Sequence, residues 1–203
     1  MIHFSFFLDF MLEKESVLKD GSSCRGEKQL FDIAMVQNFD ARALEDILSL
    51  EQRCYPVGWQ YPDAKEYYSE MLRQESAVHI FLREGDASVG YLLGRPLSEV
   101  YADLREYDSE LRDDTACFYL ETIGIDPKCA GRKGGAQLLE AFRKEVSHRE
   151  GEYDRISAHA RKAAGSDLSG LIQRMYTDAR VRHITKWHFG GNEPYDYVVW
   201  DVR

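Results

Sequence analysis

Residues 118–142 read FYLETIGIDPKCAGRKGGAQLLEAF, and this stretch decides which fold we expect. Its first part, Phe118–Ile125, predicts a buried strand, which the Asp-Pro pair that follows brings to an end. Its last part and the residues after it, Gln137–Val146, carry apolar residues at helical spacing and predict an amphipathic helix. The stretch therefore predicts a strand that leads through a short basic, glycine-rich loop into a helix.

The loop between that strand and that helix has the properties of a phosphate-binding site. The N-terminus of a helix leaves backbone N–H groups unpaired and carries partial positive charge, so it attracts phosphate oxygens. Glycines let the backbone approach a phosphate closely, and two basic side chains add charge. The loop matches neither the P-loop nor the three-glycine dinucleotide pattern. The residues predicted to touch the phosphates are Gly131, Arg132, Lys133, Gly134, Gly135 and Ala136.

The whole stretch resembles the acetyl-CoA motif of the GNAT family of N-acetyltransferases. In that family a strand ending in hydrophobic-x-hydrophobic-Asp-Pro leads into Q/R-x-x-G-x-G/A and then into a helix that begins with paired leucines. Ile123–Pro127 and the pair Leu138 and Leu139 fit this pattern. Ala130 stands at the Gln/Arg position and Lys133 at the first glycine position, so the loop departs from the family there.

The resemblance extends loosely over residues 31–203 and implies a fold. That fold is α/β (α+β), with a mixed, mostly antiparallel central sheet flanked by helices and two central strands that splay apart to admit the pantetheine arm of CoA. The order of strands and helices read from the residues also favours a mixed sheet covered by helices. We expect residues 1–29 to form an N-terminal extension and linker, and residues 30–203 to form the acyltransferase domain.

The resemblance also implies an activity, the transfer of an acetyl group from acetyl-CoA to a primary amine by direct attack in a ternary complex. Acetyl-CoA is then the co-substrate, and homodimers are frequent among such proteins. The stretch EQRCYPVGW, residues 51–59, resembles the exit of the first helix in members that modify N-terminal or aryl-alkyl amines, so Tyr55 and Trp59 are expected to line the amine pocket. The cofactor strand is expected to contribute Ile123, with its backbone N–H on the thioester carbonyl, together with Gly124 and Ile125.

Such an enzyme needs a base, because a primary amine with a pKa of about 10 is mostly protonated at neutral pH. Glu121 is our candidate, since a carboxylate inside a central strand is costly unless it is paired or useful. The alternative is that Glu121 forms a structural salt bridge. Strand alternation predicts that Glu121 shares a face with Tyr119, Ile123 and Ile125, opposite Leu120 and Thr122.

An acid for the departing thiolate is the second requirement. The resemblance places Tyr176 in this role, because the family has a late-helix tyrosine near the CoA sulfur. Tyr176 also lies on the apolar stripe of a helix predicted over Asp167–Arg180, where a core tyrosine is the alternative. His159, after the fifth strand, is a further candidate for a proton relay, with a structural histidine as its alternative.

Composition narrows the class of protein further. The 203 residues carry a net charge of -9, which argues against non-specific binding to nucleic acid or to an anionic membrane and suits a cationic amine. The four cysteines are scattered, so neither a zinc site nor a disulfide framework is indicated, and we expect a cytoplasmic protein that needs no metal. Residues 96–116 hold seven acidic and two basic residues, and we expect them to form either a solvated surface or an acidic wall of the amine site.

Residues 1–12 are rich in phenylalanine, yet they do not make a convincing signal peptide. Asp9 interrupts the apolar run and no positive residues precede it. No apolar run approaches the roughly 20 residues that span a bilayer. We interpret the segment as a poorly packed or partner-facing extension, or as the product of an early start codon with Met11 or Met35 as the true one.

Two other functions remain open at this level. The chain could be a non-catalytic acyl-CoA sensor or interaction module, which the departures at Ala130 and Lys133 favour. It could also be a nucleotide-binding protein that uses the same loop.

Overall fold

The computed structural model describes residues 31–149, 151–162, 167–185 and 194–203. The extension predicted over residues 1–29 and a turn predicted at residues 190–192 lie outside these ranges. Within them, strands and helices follow one another as β1 Asp32–Met35, α1 Ala41–Cys54, α2 Ala64–Met71, β2 Val78–Glu84, β3 Ala87–Pro96, α3 Leu97–Arg105, β4 Cys117–Ile125, α4 Gly134–Ser147, β5 Arg155–Arg161, α5 Leu168–Met175, β6 Arg180–Ile184 and β7 Tyr195–Asp201.

The strands form one sheet in the order β1-β2-β3-β4-β5-β7-β6. β4 and β5 run parallel, and the other neighbouring pairs run antiparallel. The prediction of a mixed, mostly antiparallel sheet flanked by helices is therefore confirmed.

β4 and β5 pair only at their beginnings. The pairing runs from Cys117 opposite Arg155 to Tyr119 opposite Ser157, whereas β4 continues to Ile125 and β5 to Arg161. The two strands therefore separate beyond Tyr119 and leave a split in the middle of the sheet.

The helices cover the two faces of the sheet in separate groups. On one face, α1 and α2 bury Ile47 and Tyr68 against Tyr91 and Leu93 of the sheet. On the other face, α4 packs on β2, β3 and β4, while α5 packs on β5 and β7. The space between α4 and α5 consequently lies over the split between β4 and β5.

Local sequence signals account for both ends of α1. Asp40 caps α1 by accepting a hydrogen bond from the Arg42 N–H, and the helix ends at Cys54, just before the Tyr-Pro pair, since a residue that precedes proline is disfavoured in a helix. The α4 helix begins at Gly134, earlier than the predicted Gln137.

The prediction for the late helix was wrong at its C-terminal end. α5 ends at Met175, and Tyr176 follows it in an extended conformation. β6 begins at Arg180, where a helix was predicted, because this segment pairs with β7 from Arg180 opposite Val199 onward. Pairing with a neighbouring strand outweighs the helical spacing of the apolar residues, and such pairing cannot be read from local sequence.

Candidate active site

In the loop before α4, a residue other than glycine adopts the positive φ angle that usually requires glycine. Lys133 has a φ of 62°, in the left-handed region, and Gly131 has a φ of 74°. A residue with a side chain loses about 1–2 kcal/mol in this conformation. Lys133 thus retains the backbone geometry that a glycine at this position of the motif would adopt without strain.

The start of α4 is pressed closely onto the sheet. A Cβ atom on Gly134 would lie 2.8 Å from Cδ2 of Leu82, so any larger residue would require the buried Leu82 side chain to shift. The first hydrogen bond at this end of the helix runs from the Gln137 N–H to the Lys133 carbonyl. The N–H groups of the three residues in between precede that bond, which is the arrangement that binds phosphate oxygens.

The two basic side chains of the loop differ in their contacts. Arg132 donates to Glu84 at 2.6 Å, and its guanidinium lies over the ring of Phe31 at 4.2 Å. Lys133 has no ion-pair partner among the residues that the structure describes. Lys133 is therefore the side chain that is available to a phosphate without a competing carboxylate.

A β-bulge at Glu121 overturns the predicted alternation along β4. Leu93 pairs with Thr122 while Gly94 pairs with Leu120, so Glu121 is the extra residue. After the bulge, Thr122 shares a face with Glu121: Thr122 contacts Tyr55 and Glu121 contacts Tyr67, both on the α1/α2 side.

Ile123 was predicted on the face of Glu121, and it instead belongs to the core beneath α4. Simple period-two alternation cannot anticipate an inserted residue, which explains this error.

Glu121 is fully buried and its carboxylate is held on both oxygens. Arg95 donates through Nε to Oε2 and through Nη2 to Oε1, each at 2.7 Å. Tyr67 donates to Oε1 at 2.5 Å. This is the salt-bridge arrangement that sequence reasoning left open as the alternative to a base.

A chain of buried polar groups lies beside Glu121 on the same face. The Tyr119 hydroxyl is 3.1 Å from Nδ1 of His159, and Nε2 of His159 is 3.1 Å from the Asp108 carboxylate. Arg182 in turn donates to both oxygens of Asp108. Because a carboxylate only accepts, the neutral imidazole carries its proton on Nε2 and leaves Nδ1 to accept from the tyrosine.

Burial and charge set the protonation states along this chain. Burial lowers the pKa of His159, against the opposing effect of its hydrogen bond to Asp108. Burial raises the pKa of Tyr119 well above its ordinary value, and the nearby Glu121 charge raises it further. For Asp108, burial acts to raise the pKa, but hydrogen bonds from His159 and Arg182 outweigh it, so the pKa lies well below its usual range. At neutral pH the chain therefore holds a phenol, a neutral imidazole and a carboxylate.

Tyr176 lies on the opposite face of the sheet from Glu121. Its ring stacks on Trp200 at 5.8 Å between centroids, and the guanidinium of Arg143 on α4 lies 5.2 Å from its centre. Its hydroxyl is buried and makes no hydrogen bond of ordinary geometry among the described residues, although the Glu140 carboxylate is near it; burial and this carboxylate raise the pKa of Tyr176. A buried hydroxyl without a partner is costly, so this atom is suited to meet a bound molecule in the space between α4 and α5.

The two residues predicted for the amine pocket have different surroundings. Tyr55 is buried, and its hydroxyl contacts Thr122 and the Ile123 carbonyl, each at 3.1 Å. It therefore fastens the end of α1 to the cofactor strand. Trp59 is partly exposed, and the guanidinium of Arg161 lies over its ring.

The acidic segment 96–116 is not uniformly solvated. Leu97, Val100 and Leu104 of α3 are buried in the core. Asp114 pairs with Arg155 at 3.0 Å, at the paired beginnings of β4 and β5, on the far side of these strands from the split. Of the acidic residues in this segment, Asp108 is the one that contacts His159.

Sequence reasoning named His159 but missed its partners. Arg95 is the one charged residue of β3, a signal that could have marked it as the partner of Glu121. Tyr119 precedes Glu121 by two residues, but Asp108 is hidden among other acidic residues. No cluster of three or more His, Cys, Asp or Glu suited to a metal occurs in the described ranges.

Comparisons with known proteins agree with this geometry. The sequence profile of the Acetyltransferase (GNAT) family matches residues 44–166. A comparison with curated proteins gave no significant match.

Solved structures share the fold at low sequence identity. GphF, a GNAT-like decarboxylase in complex with isobutyryl-CoA, is 16% identical with a TM-score of 0.64, over 85% of this chain and 100% of that chain. An aminoglycoside 6'-N-acetyltransferase complexed with coenzyme A is 10% identical with a TM-score of 0.65, over 85% and 97%. NAA60 of Arabidopsis thaliana in complex with acetyl-CoA is 17% identical with a TM-score of 0.62, over 84% and 99%.

The fold is the one that these acyl-CoA-binding structures share. The chain belongs to the GNAT family of acetyltransferases. None of the helices described is long and apolar enough to cross a membrane.

Proposed function

We propose that the protein is an N-acetyltransferase that transfers an acetyl group from acetyl-CoA to a primary amine in a ternary complex. The observation that carries this proposal is the split between β4 and β5, with the Tyr119–His159–Asp108 chain on one face and the Tyr176 hydroxyl on the other. A thioester that enters from the α4/α5 side would meet an amine that approaches from the α1/α2 side.

We propose that acetyl-CoA binds at the loop before α4 and along the split between β4 and β5. The pyrophosphate would contact the N–H groups at the start of α4 and the side chain of Lys133. The pantetheine amides would pair with the edge of β4 at residues 123–125, which β5 leaves without a strand partner. The backbone N–H of Ile123, which is predicted to donate to the thioester carbonyl, is proposed to act from the same edge.

We propose that Tyr119, His159 and Asp108 act together as the base. As the amine attacks, its proton passes to the Tyr119 oxygen while the tyrosine proton passes to Nδ1 of His159. The imidazolium that forms is stabilised by Asp108, which keeps its negative charge. This route needs no ionised tyrosine, in agreement with the raised pKa of Tyr119.

Glu121 is proposed to be a positioning residue rather than the base, because both of its oxygens are held by Arg95 and Tyr67 while its charge raises the pKa of the nearby Tyr119. It remains the alternative base. Tyr176 is proposed as the acid that protonates the departing thiolate, because its hydroxyl makes no hydrogen bond among the described residues and burial raises its pKa, which keeps it protonated.

The acceptor is proposed to be a cationic amine that loses its proton in the site. The α1/α2 side is rich in tyrosine, with Tyr61 stacked on Tyr67 at 4.4 Å and Tyr68 in edge contact with both. Aromatic faces attract ammonium groups. Trp59 is proposed to line the entrance to this side.

Four conservative variants test these roles: Tyr119→Phe, His159→Gln, Glu121→Gln and Tyr176→Phe. With acetyl-CoA and a panel of amines, we expect the first two to lower kcat by about 10²–10⁴-fold. We expect Glu121→Gln to have the smaller effect of a positioning residue, because Gln keeps the shape and one acceptor oxygen. If Glu121→Gln loses more than His159→Gln and is rescued by raising the pH, Glu121 is the base.

A non-catalytic acyl-CoA sensor is the second candidate. The ion pair between Arg132 and Glu84 favours it, because this pair ties up one of the two basic groups in the phosphate loop. Calorimetric titration with acetyl-CoA, CoA and ATP, combined with turnover assays, separates the possibilities. Binding of acetyl-CoA without turnover of any amine would support the sensor, and preference for ATP would contradict both.

A further inference from the structure

A cavity of about 640 Å³ lies between the acidic segment and β6, and it shares no residue with the acetyl-CoA loop. Three arginines line it, and its other polar lining residues are Tyr101, Ser109 and Glu110. The arginines are Arg105, Arg112 and Arg182. The cavity is within the range of about 300–1,000 Å³ that holds small ligands.

Arg105 and Arg112 are the two basic residues of segment 96–116, and the fold brings both to this cavity. Both are exposed, and neither has a carboxylate within ion-pair distance in the part of the chain that the structure describes. Although the chain has a net charge of -9, the lining of this cavity holds three arginines and one glutamate.

Arg182, which lies on β6, is the third arginine that lines the cavity. Its inner side donates to both oxygens of Asp108, and Glu110 is more distant, at 3.7 Å from Nη1. Its side chain is 31% exposed, so part of the guanidinium faces the cavity while the rest holds Asp108.

We propose that this cavity binds a small phosphate-bearing anion. Guanidinium groups bind phosphate through paired, charge-assisted hydrogen bonds, and three of them meet here against one glutamate in the lining. The hydroxyls of Tyr101 and Ser109 can supply further donors.

The cavity is connected to the catalytic chain through one residue. Arg182 holds Asp108, Asp108 accepts from His159, and His159 accepts from Tyr119. An anion bound to Arg182 would offset its positive charge, which acts to lower the pKa of His159. The bound anion would therefore raise that pKa.

The groups that face His159 come from four parts of the fold. They are Tyr119 of β4, Asp108 of the segment after α3, Arg182 of β6, and Tyr197 of β7, whose ring centroid lies 4.7 Å from that of the imidazole. Arg182 is the one among them that also lines the cavity. The coupling, unlike the binding site, rests on the proposed function.

Calorimetric titration with inorganic pyrophosphate, in the presence of saturating CoA, tests the site. The double variant Arg105→Gln/Arg112→Gln is expected to weaken binding by about tenfold or more. The control Arg73→Gln/Arg174→Gln removes the same charge from two exposed positions elsewhere and should bind as the wild type does. Equal affinity in the double variant and the wild type, or no binding to either, would overturn the proposal. Equal affinity for citrate would overturn the assignment to phosphate.

The coupling is tested by the pH profile of kcat at saturating substrates. Pyrophosphate is expected to move the acidic limb to higher pH in the wild type and not in the double variant, because a raised pKa keeps His159 protonated to higher pH. An unchanged limb in the wild type would overturn the coupling. If no form turns over, the proposed function fails, while the calorimetric result on the site still stands.

Discussion

The two faces of the sheet bury very different residues, although the same strands build both. Beneath α4 the core is apolar, with Leu92, Leu120 and Ile123 fully buried. Beneath α1 and α2 the same strands bury Glu121, and Arg95 beside it is almost entirely buried. Burying charge is costly unless each group is paired, and on this face the charges meet partners from several elements. The apolar face stabilises the fold, whereas the polar face holds buried charges at a cost to stability and carries the groups proposed for catalysis.

The largest effect is expected from breaking the buried ion pair on the polar face. Arg95→Leu leaves the Glu121 charge uncompensated and should lower the free energy of unfolding by about 3–5 kcal/mol. The double variant Arg95→Leu/Glu121→Leu should recover much of this loss, because it removes both charges. Denaturant unfolding of the two single variants and the double variant measures the coupling between them.

The apolar face provides the control for this cycle. Leu120→Ala should cost about 2–5 kcal/mol by leaving a cavity, and Glu121→Leu should not relieve that loss. If the changes in unfolding free energy of Arg95→Leu and Glu121→Leu simply added in the double variant, the two side chains would not be coupled. The contrast between a paired polar face and an apolar face would then be wrong.

A second effect on the polar side depends on pH. Glu51 is buried on α1 and accepts from the Tyr61 N–H, and burial raises its pKa from 4.5 to about 7. Because the folded state holds this proton more tightly than the unfolded chain does, the contribution of Glu51 to stability falls as the pH rises from about 4.5 to 7.

Glu51→Gln should therefore be more stable than the wild type at pH 8, by roughly 3.5 kcal/mol at about 1.4 kcal/mol per pH unit, and equally stable near pH 4. Gln keeps the oxygen that accepts from Tyr61. Thermal unfolding across pH 4–8 measures the difference, and a difference that does not change with pH would contradict this account.

Tyr176 differs from the other residues buried on the apolar face because it carries a hydroxyl there. Replacing it with phenylalanine should raise the stability of the protein rather than lower it. Tyr176→Phe deletes a buried hydroxyl without a described partner, so the ligand-free protein should gain about 1 kcal/mol in stability. The gain should disappear with saturating acetyl-CoA, if the thioester satisfies that hydroxyl. Tyr119→Phe is the matched comparison on the polar face, where removing the donor to His159 should destabilise the protein instead.

The smallest effect is expected in the phosphate loop. Lys133→Gly relieves the left-handed strain at φ 62° and should raise the free energy of unfolding by about 1 kcal/mol or less, since glycine also gains freedom in the unfolded chain. Affinity for CoA should fall as the unpaired positive charge is lost. Lys133→Val serves as the contrast, because a β-branched residue tolerates this backbone poorly and should lower stability.

The sequence alone determined the features that depend on neighbouring residues. The strand, loop and helix of residues 118–142 could be predicted because Asp-Pro, the glycines and the apolar period act locally. The cap at Asp40 and the end of α1 were predictable for the same reason. The acetyl-CoA motif lies within one such local stretch, so the family could be inferred before any contact was known.

Only the tertiary structure decided how the polar groups are paired. Arg95 and Glu121 are 26 residues apart, Tyr119 and His159 are 40 apart, and Asp108 and His159 are 51 apart. Their partners depend on the sheet order and on a bulge that inserts one residue into β4. Hydrogen bonds of this kind form only when the strands are already in place, whereas helix caps and turns are satisfied by residues a few positions away.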